Sequence, residues 1–248
     1  MIKVKTKFQV NQISKSGSIA AFTLRELSKA VKPGVSTIDL DLLAKRLINA
    51  RGGKPSFYGY RGYKYAICIS VNDEVVHGIP SSKKIKSGDI VSIDVGVNLN
   101  GYFSDTALTV IVGRVDDKVT KMVSATKDAL MEAIKIVKPG VRVGELESRT
   151  GKTLKLARLS PIMDLSGHGV GLAVHEEPSI RSDGNKDSGE PLKEGMVLAI
   201  EPMATPGSGK VATADDGWTV KTVDGALAAH FEHTVAVTKT GFKILTVR

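Results

Sequence analysis

Cysteine is almost absent from the sequence, because Cys68 is the single one among 248 residues. One cysteine excludes an internal disulfide and a cysteine-rich zinc module, and such scarcity is typical of a reducing compartment. The chain also lacks any run of about 18 apolar residues, so no segment predicts a membrane span. Its start, MIKVKTKFQV, alternates charged and apolar residues and has no signal-peptide hydrophobic stretch. We therefore expect a cytoplasmic protein without a membrane partner.

Aromatic residues are also scarce, at 5% of the chain, and no arginine-rich tract or RNA-binding motif accompanies them. The formal charge of +9 leaves two interpretations open, contact with an acidic partner such as RNA or a basic surface without such a partner. We expect no DNA partner. The hydrophobic fraction of 42% is ordinary for a globular chain of one large domain or two small ones.

The segment from Ser87 to Val110 predicts a β-hairpin that carries two carboxylates. Its first strand has apolar residues at every second position, and Asn100-Gly101 is the dipeptide preferred in a type I′ turn. That turn makes Asp94 and Asp105 diagonal neighbours on one face, about 7–8 Å apart at the backbone. A bound cation would relieve their repulsion, but the pair alone is equally consistent with a solvated strand face.

The remaining elements are predicted from periodicity and from stop signals. Apolar residues at helical spacing indicate a helix over Asn11 to Val31. A second helix follows, with Ser36 or Thr37 as its N-cap. Residues 66–71 read as a strand, and a long helix begins after Asp117 and stops at Lys138-Pro139-Gly140.

A duplication organises the chain, since three motifs of the first half recur in the same order in the second. VKPGV recurs after 106 residues, VHGIP returns as VHEEP after 98, and SGDIVSID returns as KEGMVLAIE after 107. We predict a single catalytic domain over residues 1–248, with halves of approximately 1–115 and 116–248. Each half would consist of two helices followed by antiparallel strands.

The duplication pairs the acidic residues across the two halves. Asp94 corresponds to Glu201, and Asp105 corresponds to Glu232 on a later strand of the second half. A pseudo-two-fold arrangement would bring the four carboxylates together at its centre. Four carboxylates cannot share a buried site without cations, so the arrangement predicts a metal centre.

The chain has five histidines, which are His77, His168, His175, His230 and His233. A lone histidine is usually a satisfied surface or core residue, but beside four converging acids some become candidate ligands. One imidazole with four carboxylates is a mixed nitrogen and oxygen set that suits Mn, Fe, Co or Zn. Two cations that share bridging carboxylates are typical of hydrolytic sites.

Six ordered motifs resemble those of type I methionine aminopeptidases in their short bacterial or organellar form. The motifs are HGIP, SGDIVSIDVG, GYFSDT, GHGVGLAVHEEP, GMVLAIEP and DGWTVKTVDG…FEHTVAVT, and they extend over essentially the whole chain. The resemblance implies an α+β pita-bread fold, in which two pseudo-two-fold halves form a curved antiparallel sheet covered by helices. It also implies removal of the initiator methionine from nascent proteins when the second residue is small.

The resemblance assigns a dinuclear metal centre to five residues. Asp94 would bind one metal, Asp105 and Glu232 would bridge both, and His168 and Glu201 would bind the second. The two divalent ions would be Co, Mn, Fe or Zn. We further expect a monovalent cation near Asn72, which matches a backbone-carbonyl position in relatives.

Catalytic roles also follow from the resemblance. Glu201 would take and return the proton of the attacking water, and His175 would stabilise the oxyanion. His77 would contact the amide nitrogen of the second substrate residue. His230 and His233 match no motif role.

The methionine pocket would be lined by four residues, which are Tyr60, Tyr63, Cys68 and Trp218. Without the resemblance, these residues read as part of a plain aromatic loop. Two departures from the usual pattern bear on selectivity. Phe57 stands where bacterial relatives often have cysteine, and Val174 stands where an aromatic residue is usual.

Two other functions compete with this interpretation. A pita-bread hydrolase specific for X-Pro bonds would use the same five ligands, but such enzymes usually carry a large extra N-terminal domain. A non-catalytic relative that binds the ribosome or RNA would suit the positive charge, but such proteins typically lose metal ligands. We expect a monomer that acts on nascent N-termini and touches the ribosome transiently.

Overall fold

Four α-helices lie within residues 2–247, the part of the chain that the computed structural model describes. Their bounds are α1 Lys7–Ala30, α2 Thr37–Asn49, α3 Asp117–Lys135 and α4 Val143–Leu156. Ser36 rather than Thr37 is the N-cap of α2, because its side chain accepts the N–H of Asp39. The first helix begins before the predicted Asn11, because a capping box between Thr6 and Gln9 fixes its start.

Seventeen strands, most of them short, also lie within the described residues. Their bounds are β1 Lys54–Pro55, β2 Cys68–Val71, β3 Glu74–Val76, β4 Ile90–Asp94, β5 Val97–Leu99, β6 Tyr102–Ser104, β7 Thr106–Ile111, β8 Ser160–Pro161, β9 Ser166–Gly169, β10 Glu176–Arg181, β11 Val197–Ile200, β12 Met203–Thr205, β13 Val211–Thr213, β14 Val220–Thr222, β15 Ala229–His230, β16 Glu232–Val237 and β17 Phe242–Ile244. The strand predicted over residues 66–71 begins only at Cys68. The N–H groups of Ala66 and Ile67 donate instead to the Asp41 carboxylate, at 2.7 and 3.1 Å.

An antiparallel sheet of eight strands forms the centre of the fold. Its order is β10-β9-β11-β16-β7-β4-β2, and β17 pairs with β16. Strands β2, β4 and β7 come from the first half of the chain, and β9, β11 and β16 come from the second. The halves join where Glu232 pairs with Ala107 and His233 pairs with Thr106. The middle of the sheet is therefore the seam between the two halves.

The two halves repeat the same backbone contacts. The N–H of Gly34 donates to the carbonyl of Ile85 at 2.8 Å, and the N–H of Gly140 donates to that of Leu192 at 2.9 Å. Both glycines have φ near +90°, which a side chain would disfavour. This correspondence agrees with the repeated VKPGV motif, while the division near residue 115 stays a prediction.

Each pair of helices packs on its own half of the sheet. Leu27 of α1 and Ile93 of β4 belong to one buried apolar cluster, and Leu130 of α3 and Leu198 of β11 belong to another. The predicted helix pairs and antiparallel strands are thus confirmed, and the architecture is α+β. No helix among residues 2–247 is long and apolar enough to cross a membrane.

The hairpin has the register that its turn predicts. Leu99 pairs with Tyr102, and farther along Asp94 pairs with Ala107 in the same register. Asn100 and Gly101 have φ of 54° and 85°, as a type I′ turn requires. The ladder divides beside Asp105, since β4 and β7 join the large sheet while β5 and β6 pair in a smaller one.

Candidate metal centre

Four carboxylates meet at the seam of the large sheet. Asp94 is the last residue of β4, Asp105 lies between β6 and β7, Glu201 follows β11, and Glu232 begins β16. Asp94 and Glu232 both pair with Ala107, so they flank one residue of β7 from opposite sides. The sheet thus brings together the four acids that the duplication singles out.

The acids and one histidine form a compact set of donor atoms. One ligand atom from each of Asp105, His168 and Glu232 lies within 4.8 Å of the other two. His168 Nε2 is also 3.5 Å from Glu201 Oε1. All three members of the first group are buried, so solvent does not separate them.

Two oxygen atoms of this set have no partner among the described residues. Asp94 Oδ1 and Glu232 Oε1 are buried and accept no hydrogen bond. A buried acceptor without a donor costs about 1–3 kcal/mol, and more when it is charged. Carboxylate oxygens and an imidazole nitrogen are donors that Mn, Fe, Co and Zn accept, so this set fits divalent cations.

Burial raises the pKa of each of these carboxyls, and repulsion from neighbouring carboxylates adds to the effect at Asp94, Asp105 and Glu232. Burial raises the pKa of Asp105 to about 7 and that of Glu201 to about 8. The pKa of Asp94 is raised well above its ordinary value by burial and then by Asp105, and that of Glu232 is raised by the same causes. Without cations, the four groups therefore do not all ionise at neutral pH.

The ring of His168 is oriented by the backbone carbonyl of the next residue. Its Nδ1 lies 2.9 Å from the carbonyl of Gly169, and a carbonyl only accepts, so Nδ1 carries the proton. The lone pair is then on Nε2, the atom that faces Glu201. Burial lowers the pKa of His168 to about 4, which keeps the ring neutral and able to bind a metal.

His175 stands next to this group and is held by Tyr60. Its Nδ1 is 2.9 Å from the Tyr60 hydroxyl, and its ring centroid is 4.2 Å from that of His168. Burial lowers the pKa of His175 to about 3. When the Tyr60 hydroxyl donates to Nδ1, the proton of a neutral His175 lies on Nε2, which is then a hydrogen-bond donor.

An ion pair between two residues distant in sequence fixes the loop that carries His175. Lys5 Nζ is 2.7 Å from Glu176 Oε2, and both side chains are almost fully buried. The other oxygen of Glu176 accepts the N–H groups of Leu172 and Ala173, at 2.6 and 3.1 Å. Sequence reasoning did not find this pair, because nothing local relates residues so far apart in the chain.

Three comparisons place this geometry among known proteins. The sequence pattern of metallopeptidase family M24 matches residues 11–239. The chain belongs to metallopeptidase family M24.

Several full-length relatives of the chain within family M24 are methionine aminopeptidases. The chain is 46% identical over 246 residues to methionine aminopeptidase 1 of Bacillus subtilis, with 99% of each chain covered. It matches the crystal structure of methionine aminopeptidase from Thermotoga maritima at a TM-score of 0.99 and 43% identity, over 100% of both chains. Prolidase from Pyrococcus furiosus matches at 0.80 and 27%, over 99% of this chain and 65% of that one. The pita-bread fold is thereby confirmed.

A cavity of about 380 Å³ opens onto the centre. It is lined by all the predicted ligand, catalytic and pocket residues, which are Tyr60, Tyr63, Cys68, His77, Asp94, Asp105, His168, His175, Glu201, Trp218 and Glu232. The predicted metal ligands, catalytic residues and pocket residues of this family M24 chain thus line one continuous cavity. A larger open groove of about 960 Å³ beside β10 is lined by none of the five predicted metal ligands.

The apolar wall of the cavity comes from one small cluster. Phe57, Tyr63, Cys68 and Val174 pack together there, and Phe57 lines the cavity whereas Val174 lies behind the lining. The Tyr63 hydroxyl donates to backbone carbonyls, and its ring meets Trp218 with centroids 5.0 Å apart. Tyr63 therefore shapes the wall with its ring and does not offer its hydroxyl to a ligand.

His77 is held in an uncommon backbone conformation at the cavity. Its φ is 58°, in the left-handed region that a histidine seldom adopts. Burial lowers its pKa to about 4. A strained residue beside a reaction site is a frequent feature of functional positions.

His230 is a neighbour of the centre that matches no motif role. It is 1% exposed, and its Nε2 lies 3.2 Å from Glu201 Oε2 without the alignment of a hydrogen bond. His233 differs, because its Nδ1 bonds Thr246 Oγ1 at 2.9 Å. Residues two apart along an extended chain share a face, so the position of His230 two before Glu232 was a signal available in the sequence.

Proposed function

We propose that this chain removes the N-terminal methionine from proteins and peptides whose second residue is small, with two divalent cations at the seam of its sheet. The methionine aminopeptidases among its full-length relatives support the reaction. One observation carries the site, the gathering of four carboxylates and His168 with two buried oxygens that have no protein partner.

We assign the metal ligands as the family resemblance implies. Asp94, Asp105, His168, Glu201 and Glu232 would together hold the two cations. The set suits Mn, Fe, Co or Zn. When bound, such cations polarise the scissile carbonyl and lower the pKa of water.

The protein residues then position the substrate and move its protons. Glu201 takes the proton of the attacking water and returns it to the leaving amine. His175 donates from Nε2 to the methionyl carbonyl oxygen as charge develops there, an effect worth about 3–4 kcal/mol for one donor. Tyr60 keeps His175 in the tautomer that this donation needs, and His77 contacts the amide nitrogen of the second residue.

Selectivity for methionine resides in the apolar wall of the cavity. The rings of Tyr60, Tyr63 and Trp218, together with Cys68, offer an unbranched thioether a soft surface. Phe57 adds bulk on this wall where relatives often have cysteine, while Val174 is smaller than the usual aromatic residue.

We further propose a cytoplasmic monomer of the short type I form that meets nascent chains at the ribosome. The charge of +9 would favour contact with ribosomal RNA. A monovalent cation would bind at the Asn72 carbonyl, which accepts the N–H of Ala228 at 2.9 Å and keeps a second lone pair.

The reaction is tested with three peptides and metal-loaded protein. Met-Ala-Ser should be cleaved, Met-Leu-Ser far more slowly, and an X-Pro peptide not at all. Equal rates for the first two peptides, or preference for the X-Pro peptide, would refute the assignment.

The role of His175 is tested by substitution. His175→Ala should retain both metals, measured by elemental analysis after dialysis, and should lose about a hundredfold or more in kcat. His233→Ala serves as the matched control, because that imidazole bonds Thr246. Loss of metal from His175→Ala would show that the ligand assignment is wrong.

A further inference from the structure

We infer that His230 is a positioning residue, which donates from Nε2 to Glu201 Oε2 and so fixes the orientation of that carboxylate. The inference rests on the role proposed for Glu201 as ligand and proton acceptor. It adds a residue to which no family motif gave a role.

The backbone of His230 is fixed by the opposite half of the chain. Its N–H donates to Thr109 Oγ1 at 2.9 Å, and the same hydroxyl donates to the His230 carbonyl at 2.9 Å. Thr109 belongs to β7, the first-half strand at the seam. The imidazole is therefore anchored to the strand that follows Asp105, and its distance to the metal centre is set by the sheet.

The carboxylate of Glu201 lies between two histidines. Oε1 is 3.5 Å from His168 Nε2, on the side of the proposed cations, and Oε2 is 3.2 Å from His230 Nε2. A carboxylate that holds a metal through one oxygen keeps more rotational freedom when no donor holds its other oxygen. An N–H donor on Oε2 removes that freedom, as partners of metal ligands commonly do.

The Nε2 atom of His230 requires a hydrogen-bond acceptor such as Glu201 Oε2. His230 Nε2 is buried and has no aligned hydrogen bond among residues 2–247. A buried N–H left without a partner costs about 1–3 kcal/mol. At 3.2 Å, a small rotation of the Glu201 carboxylate aligns the pair and satisfies both groups at once.

Two variants separate hydrogen-bond donation from packing. His230→Gln keeps an N–H donor on a side chain of similar reach, while His230→Leu keeps volume and removes the donor. His233→Gln is the control on the next strand. Each protein is measured for Co²⁺ affinity by calorimetry, for the visible absorption of the Co²⁺-loaded form, and for kcat and KM on Met-Ala-Ser.

We expect His230→Leu to lose 10- to 100-fold in Co²⁺ affinity or kcat, with a changed cobalt absorption and KM within about threefold. His230→Gln should recover most of the loss, and His233→Gln should match the parent. If the leucine variant does not fold, His230→Asn, whose amide is too short to reach, replaces it.

Two results would overturn the inference. The first is a His230→Leu protein whose affinity, absorption and kcat all equal the parent's. The second is an equal defect in the leucine and glutamine variants, which would make shape rather than donation responsible. A parent that binds Co²⁺ but leaves Met-Ala-Ser intact would refute the proposed function, and the affinity and absorption comparison would still decide the role of His230.

Discussion

The chelated protein should lose thermal stability between pH 7 and pH 8, and divalent cations should abolish that loss. Burial raises the pKa of Glu201 to about 8, and it raises those of Asp94 and Glu232 well above their ordinary values. Ordinary carboxyls near pKa 4 are fully ionised at pH 7 in the unfolded chain. The native state therefore binds more protons than the unfolded state, so the free energy of unfolding falls as pH rises.

The pH window matters because the histidines act in the opposite direction. Burial lowers the pKa of each of the five to about 3 or 4. An unfolded histidine titrates near pH 6.5, so these residues add stability as pH rises toward 7. Above pH 7 an unfolded histidine is at most about a quarter protonated, so the histidines oppose the slope only weakly and the buried carboxyls dominate it.

One proton retained by the native state is worth about 1.4 kcal/mol per pH unit. A domain of 150–250 residues changes its melting temperature by about 2–4 °C per kcal/mol. The melting temperature in EDTA should thus fall by about 3–6 °C from pH 7 to pH 8. Cations at about 100 times their dissociation constant should add about 2.7 kcal/mol and should remove the slope, because the bound carboxyls are ionised in the native state.

Differential scanning calorimetry in EDTA and in Mn²⁺ measures both effects, and Asp94→Asn provides an internal check. That variant removes one carboxyl from the group and should flatten the slope in EDTA. A melting temperature that stays level or rises from pH 7 to pH 8 in EDTA would refute the reasoning, as would an unchanged slope in Mn²⁺.

Three further substitutions test the surroundings of the site. Lys5→Met should lower the free energy of unfolding, measured by urea denaturation, by about 3–5 kcal/mol, because it leaves Glu176 buried without its cation. A loss below about 1 kcal/mol would contradict the stabilising role of this ion pair. Gly96→Ala should raise KM for Met-Ala-Ser several-fold with little change in metal content, since its Cβ would lie 2.5 Å from the Phe57 ring, and an unchanged KM would argue against that wall. Asn100→Ala should lower the free energy of unfolding by about 1 kcal/mol and leave kcat unchanged, because alanine disfavours a φ of 54°. A stability equal to the parent's would show that the turn residue is unimportant.

The sequence predicted best what local pattern and repetition determine. The Asn100-Gly101 turn fixed the register of the hairpin, and Asp94 pairs with Ala107 in that register. The repeat then identified Glu201 and Glu232 as their counterparts. Turn chemistry and strand alternation act over a few residues, so they are readable without a fold.

What escaped prediction depends on contacts between distant segments. Lys5 meets Glu176 across the chain, and Asp41 takes the N–H groups that would have begun β2 two residues earlier. The closeness of His230 to Glu201 follows from β15, which pairs with β12 in a separate small sheet and sets His230 opposite Met203, two residues after Glu201. Side chains that satisfy buried groups at long range leave no periodic trace in the sequence.

The pairing of β7 with β16 also determines when a newly synthesised molecule can form its site. Glu232 follows Ala107 by 125 residues in the sequence, yet it must pair beside Ala107 before the site exists. A copy still under synthesis therefore carries Asp94 and Asp105 without their counterparts, and contacts so distant in sequence form slowly. Each molecule consequently gains the ability to process other new proteins only after its own Glu232 has left the ribosome and has paired beside Ala107.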